Sequence, residues 1–162
     1  MSILMTSPVN STDHSRDEST QQMLDLAWAA GFIDGEGWIG IARQTRKGYD
    51  TITHRVKVAI TQNNLEVLEH LKDVIGESGA INKGQRTQKM NRQTYALVFD
   101  SNHALNVIKK IRPFLKRKSH EADAVIAMWD EGLMGKRPGA KGWPPEIYNI
   151  REKWAQKISR LK

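Results

Sequence analysis

The stretch Leu26-Ala27-Trp28-Ala29-Ala30-Gly31-Phe32-Ile33-Asp34-Gly35-Glu36-Gly37 sets the tightest limits on the fold. Up to about Ile33 it holds good helix formers and no proline, which predicts a helix. Ala27, Gly31 and Gly35 are spaced i, i+4, i+8, so they fall on one side of it. A side without bulk lets another backbone come close. Glycine costs about 1 kcal/mol against alanine inside a helix, so Gly31 needs such a reason to be there. The helix should stop in Asp34-Gly35-Glu36-Gly37, where an apolar, strand-like run begins. Two carboxylates therefore stand where a helix turns into a strand.

Thr20 is expected to cap this helix, which would run from about Gln21 to Ile33. Residues 1–20, rich in Ser, Thr, Asp and Asn and without periodicity, read as a flexible arm. They lack the apolar core of a signal peptide, and their three acids argue against an organelle transit peptide. Past the acids, Ile39 and Ile41 alternate with Trp38, Gly40 and Ala42 to about Gln44. After a basic turn at 46–50, Ile52, His54, Val56, Val58 and Ile60 share one strand face, with Thr51, Thr53, Arg55, Lys57, Ala59 and Thr61 on the other. Asn63 or Asn64 can cap a helix bearing Leu65, Leu68, Leu71, Val74 and Ile75, closed by Gly76. A second hairpin is expected over about 79–87 and 92–99, turning near Lys89-Met90-Asn91, with Tyr95, Leu97 and Phe99 inward. Ser101 opens a helix that Pro113 ends, and Ser119 opens another through Trp129. A basic linker, 135–142, leads past Pro144-Pro145 to a last helix whose Ile147, Ile150, Trp154, Ile158 and Leu161 form an apolar stripe.

The order αββαββα occurs once. It predicts an α+β fold: one antiparallel four-stranded sheet with helices on one face. The chain divides, as an expectation, into the arm 1–20, a core at 21–134, and the linker with its packing helix at 135–162.

At 162 residues one domain is the default, and no run of eighteen apolar residues could span a membrane. Formal net charge is +7, and the chain beyond residue 20 is more basic still. That favours a polyanionic partner, most simply nucleic acid. The absence of cysteine excludes disulfides, thiolate zinc sites and a cysteine nucleophile. The five histidines show no metal-ligand spacing, and His54, on the apolar strand face, reads as a satisfied core histidine. The outward face of the two hairpins collects Gln44, Thr53, Arg55, Lys57, Asn82, Arg86, Arg92 and Thr94, with almost no acid apart from Asp50 at a turn. Such side chains pair with base edges in the major groove. A ten-residue strand spans ~33 Å, enough to track roughly ten base pairs.

Aligned from Ala29 to Gly37, the opening stretch resembles the signature of the LAGLIDADG homing endonucleases. It departs at Ala29, where leucine is usual, and at Glu36, where aspartate is commoner. One motif with one αββαββα unit, over about residues 22–130, is similar to the family's single-motif layout. Pro113-Phe114-Leu115-Lys116-Arg117-Lys118 resembles the segment that carries the family's active-site lysine. The resemblance implies a saddle-like sheet and a homodimer packed through Leu24, Ala27, Trp28, Gly31 and Gly35. It implies Mg²⁺ held by the Glu36 carboxylates and the Gly35 carbonyl, positive charge from Lys118, and a water oriented by Gln62, although the loop after Gln62 is shorter than in the family. Asp34 would be structural. Arg46, Lys47 and Tyr49 in the turn, and Lys116, would join the DNA contacts. The implied activity is site-specific cleavage of double-stranded DNA at a long pseudo-palindromic target, by an enzyme encoded within a mobile intron. The alternative is a non-catalytic RNA-splicing maturase or DNA-binding regulator of the same fold. No small-molecule cofactor or membrane partner is expected, and the setting would be a prokaryotic cytoplasm or organelle matrix.

Overall fold

The computed structural model describes residues 11–45, 47–48, 50–85 and 92–162, with side chains from His14 onward. Arg46, Tyr49, Arg86 and the expected turn at 89–91 lie outside the described residues, as do residues 1–10. The elements are α1 (Ser11–Glu36), β1 (Gly37–Thr45), β2 (Ile52–Gln62), α2 (Leu65–Ile75), β3 (Ala80–Lys83), β4 (Tyr95–Asp100), α3 (Ser101–Ile111), a 3-10 turn (Arg112–Phe114), α4 (Ser119–Glu131) and α5 (Pro145–Arg160).

The expected start and end of the first helix are both corrected. It begins at Ser11, so residues 11–20 are helical and not part of a flexible arm, and Thr20 lies inside the helix instead of capping it. Every side chain from His14 to Leu24 is exposed, so no apolar period marks this half. Local contacts such as Gln21 Nε2 donating to Asp25 Oδ1 at 2.9 Å support it. At the other end, Asp34, Gly35 and Glu36 form the last helical turn. Between these ends Ala29, Ala30 and Ile33 are fully buried, and α1 packs there against α2 and α3.

The four strands form one antiparallel sheet in the order β1-β2-β4-β3. Val56, Val58, Ile60, Leu97 and Phe99 alternate into the core with at most 1% exposure. Leu68, Leu71 and Ile75 of α2, and Val107, Ile108 and Ile111 of α3, complete the same core. Ile52 shares their parity but is exposed at the strand's end. Asn64 is the N-cap of α2, its Oδ1 accepting the Val67 N–H at 3.2 Å, and Gly76 closes that helix at φ +69°, a conformation that favours glycine. The second hairpin is shorter than expected, because β3 stops at Lys83 and β4 starts at Tyr95. An added Cβ at Gly84 would meet Thr94 Oγ1 at 2.5 Å, so the two segments nearly touch there.

Helix α5 packs on α4 and β1, only in part through the expected stripe. Arg151, Ala155 and Ile158 are its buried residues, whereas Leu161 is 41% exposed and Ile147, Ile150 and Trp154 are half-buried. The reason is a charge. Arg151 donates from Nε to the Gly132 carbonyl at 2.7 Å and from Nη2 to that of Leu133 at 3.4 Å, just past the end of α4. A cation there complements the helix C-terminus. A second anchor joins α5 to the sheet. Glu152 accepts from Arg43 Nε at 3.1 Å and Nη2 at 2.9 Å, and lies 2.7 Å from His54 Nε2. His54 is indeed buried, yet among the described residues its Nδ1 has no partner, so the expectation of a satisfied histidine holds for one nitrogen only.

Arg43 first, then His54, holds the Glu152 carboxyl down from 4.5 to about 2, against a burial that pushes it up. A depressed carboxylate stabilises the fold above its ordinary value and loses that contribution as pH falls toward its folded value. Glu152→Gln is therefore expected to lower Tm at pH 7, with the gap to the wild type closing between about pH 4.5 and 2. Thermal melts across that range check it; a gap independent of pH would mean the charge contributes nothing.

Candidate nucleic-acid interface and active site

Asp34 is the joint of the site. Its carboxylate accepts the backbone N–H groups of Lys116 at 3.1 Å, Arg117 at 2.9 Å and Lys118 at 2.7 Å. Lys118 returns the contact, its ammonium donating to the Asp34 carbonyl. Burial pushes the Asp34 carboxyl up, but the backbone donors of Arg117, Lys118 and Lys116 outweigh it and hold it below its usual value. The end of α1 and the turn before α4 are thereby clasped together, fixing Lys118 beside the acidic helix end. Burial, then the neighbouring Arg117, lowers the Lys118 ammonium from its ordinary value; Asp34, Glu121 and Glu36 partly counter this.

Glu36 is exposed at the last position of α1. The final carbonyls of a helix have no intrahelical partner, so Gly35 and Glu36 together offer hard oxygens at the negative end of the helix dipole. That donor set fits Mg²⁺, which takes few protein oxygens and keeps its waters. Among the described residues no group of three or more His, Cys, Asp or Glu could hold a metal. Gln62 is the last residue of β2. Gly37 pairs with Ile60, two residues earlier, so the register carries Gln62 to the Glu36 end of the sheet. It is half-buried and faces Tyr95 across the ladder.

The sheet's outward face carries Gln44, Thr53, Arg55 and Asn82 as exposed side chains and Lys57 half-buried. Lys47 in the turn and Lys116 beside the clasp are exposed. Arg92 (exposed) and Thr94 (half-buried) precede β4 and so flank the ladder. One expectation about this face is corrected. It does bear an acid besides Asp50: Asp100, the last residue of β4, lies 3.2 Å from Arg55 Nη1 and 4.0 Å from Lys57 Nζ. Sequence reasoning ended that strand at Phe99 and so missed it. Two further residues were missed, Glu121 on α4 and Lys162 beyond α5. Both line a cleft of about 330 Å³ with Gly35 and Lys118.

On α1, the side that carries Gly31 and Gly35 faces outward. An added Cβ at either glycine would meet nothing within 4 Å. Leu24 and Met23 are 59% and 57% exposed and Trp28 40%, while Ala27 is half-buried. Apolar and small residues thus share a surface that this chain alone leaves uncovered.

A helix ending in two acids, clasped to a lysine turn and joined to a basic antiparallel sheet, is the architecture to be placed among known families. Residues 29–122 match the family model of the LAGLIDADG endonucleases, and the chain belongs to that family. Among solved structures, the fold is similar to the homing endonuclease I-CvuI in complex with the I-CreI target in the presence of 2 mM Mg, with the DNA not cleaved. The TM-score is 0.71 at 20% identity, covering 88% of this chain and 84% of that one. It is also similar to the archaeal intron-encoded homing endonuclease I-Vdi141I complexed with DNA, at TM-score 0.65 and 21% identity, over 90% and 86% of the two chains. No curated protein sequence matches the chain. Among the described residues no helix is long and apolar enough to cross a membrane.

Proposed function

We propose that two copies of this chain form a Mg²⁺-dependent homing endonuclease that cuts both strands of a pseudo-palindromic DNA site. The observation that carries this reading is the Asp34 clasp, which holds Lys118 against the acidic end of α1. Packing the open side of α1 on its own copy across a two-fold axis brings two Glu36 carboxylates together. Two close carboxylates repel and so favour a cation. With the Gly35 carbonyls they would hold Mg²⁺, which when bound acidifies water for attack on a phosphodiester and stabilises the departing 3′ oxygen. Lys118 places positive charge at the scissile phosphate, and Gln62 orients the attacking water. The outward strand residues lie in the major groove and set the register on the duplex.

Two-fold symmetry makes the target searchable. A palindromic plasmid insert randomised over ten pairs per half-site holds about a million sequences. Incubation of that library with the protein and Mg²⁺ should linearise a small family of plasmids, and EDTA should suppress it. No linearised product beyond the EDTA control would sink the endonuclease reading.

Readout is tested on the selected duplex. Arg55→Ala should lower discrimination at one symmetric pair of positions by about 1–3 kcal/mol. Asp100→Asn should act in the opposite direction on affinity, because it removes the charge that holds Arg55 and opposes phosphate. Competition gel shifts against single-base variants measure both; unchanged discrimination in Arg55→Ala would move base readout to other side chains.

A further inference from the structure

A second lysine reaches the cleft beside Lys118 by a route the αββαββα core does not contain. Outward positions of β1 include Trp38 and Gly40, since Ile39 and Ile41 between and beside them face the core. An added Cβ at Gly40 would lie 2.7 Å from Trp38 Cζ2, so the indole lies down over the glycine. The same Cβ would lie 3.1 Å from Lys162 Nζ, and that ammonium stands 3.8 Å from the centroid of the Trp38 ring. Lys162 therefore leaves the end of α5 on the core side and rounds the β1 edge onto the outward face. There it lines the 330 Å³ cleft together with Lys118, Arg117, Glu121 and Gly35.

Charge explains why a lysine is kept there. Glu121 is only 6% exposed, and the cleft it lines holds three cations, Arg117, Lys118 and Lys162. Among the side chains that line the cleft three cations stand against one carboxylate, an excess that a phosphate diester entering it would neutralise. An aromatic face within 4 Å attracts an ammonium group without consuming its N–H donors, so Lys162 is held yet free to donate.

Resting on the endonuclease reading above, we propose that Lys162 is a second phosphate-contacting lysine of the cleavage site. It faces Lys118 across the cleft and stabilises the charge that develops on the scissile phosphate, with Trp38 as its positioning residue. Helix α5 is then part of the active site as well as a brace on the sheet edge.

The probe is the duplex selected with the wild type, cut under single-turnover conditions with Mg²⁺ and bound in EDTA. Lys162→Ala should lower the cleavage rate at saturating protein by about 10²-fold. Binding in EDTA should change little, with the salt slope reduced by about one phosphate contact. Lys162→Arg should restore most of the rate. Trp38→Leu should fall toward Lys162→Ala, Trp38→Phe should not, and the Trp38→Leu/Lys162→Ala double variant should be no slower than Lys162→Ala alone, because the two act as a unit. A Lys162→Ala protein that cuts at the wild-type rate, or one that loses affinity but keeps its rate at saturation, overturns the assignment while leaving the endonuclease reading intact. A wild type that cuts nothing overturns both.

Discussion

Replacing Glu36 by glutamine is expected to reduce cleavage of both strands by at least about 10³-fold, equivalent to about 4 kcal/mol of barrier. The substitution keeps size and hydrogen bonding and removes only charge. Glu36 sits exposed on the last turn of α1, so the change leaves the packing of Ala29, Ala30 and Ile33 untouched. Both copies lose their carboxylate at once, and with it the attraction that would hold Mg²⁺ at the helix ends. DNA binding should survive, since on the proposed reading its electrostatic part comes from the basic outward face. Asp34→Asn makes the contrast. Its carboxylate accepts three backbone N–H groups, and hydrogen bonds to charged acceptors contribute about 1.5–3 kcal/mol each. That variant should lose several degrees of Tm as well as activity, because Lys118 is no longer clasped in place. Gel shifts, single-turnover cleavage and thermal melts on both variants separate the roles. A Glu36→Gln protein that cuts at the wild-type rate would remove Glu36 from the metal site.

The sequence already contained the parts of this fold that face a core. Period-two alternation in 52–60 and 95–99 placed Val56, Val58, Ile60, Leu97 and Phe99 inward, and they are inward. The Asn64 cap and the Gly76 stop were legible for a local reason: each satisfies backbone groups within four residues of itself. What escaped was of two kinds. Residues 14–24 of α1 have no buried face, so nothing periodic records them. For α5 the stripe gave the buried Ile158 but missed Arg151, a residue that periodicity assigns to solvent; only the carbonyls of Gly132 and Leu133, brought near by tertiary packing, explain its burial. At the site, Glu36, Gly35 and Lys118 came from a resemblance, and the Asp34 clasp gives that resemblance a geometry. Asp100, Glu121 and Lys162 carry no local signal. They matter only because strand pairing and the α4–α5 packing bring them beside residues far away in sequence.

Gly31→Leu should separate folding from assembly, because its two effects have opposite signs. Within one chain the substitution meets no obstacle: an added Cβ at Gly31 has nothing within 4 Å, and the position is exposed. Leucine is a better helix former than glycine by about 0.8 kcal/mol, so the isolated chain should keep its helix content and fold at least as well. Between chains the outcome reverses. If the open side of α1 packs on its own copy, the glycine is where the backbones come closest, and overpacking such a contact costs about 1–3 kcal/mol. An isologous interface meets the change twice, so dimer affinity should fall by roughly 30-fold to 10⁴-fold. Leu24, Met23 and Trp28, exposed at 59%, 57% and 40% in the single chain, would then stay uncovered and favour aggregation at high concentration. Cleavage should disappear with the dimer even though Glu36 and Lys118 are both intact, since the proposed Mg²⁺ site takes one Glu36 from each chain. Sedimentation across a concentration series, circular dichroism and cleavage of the selected duplex read the three consequences. A Gly31→Leu protein that dimerises as tightly as the wild type would place the interface on another surface, and the shared Glu36 site would go with it.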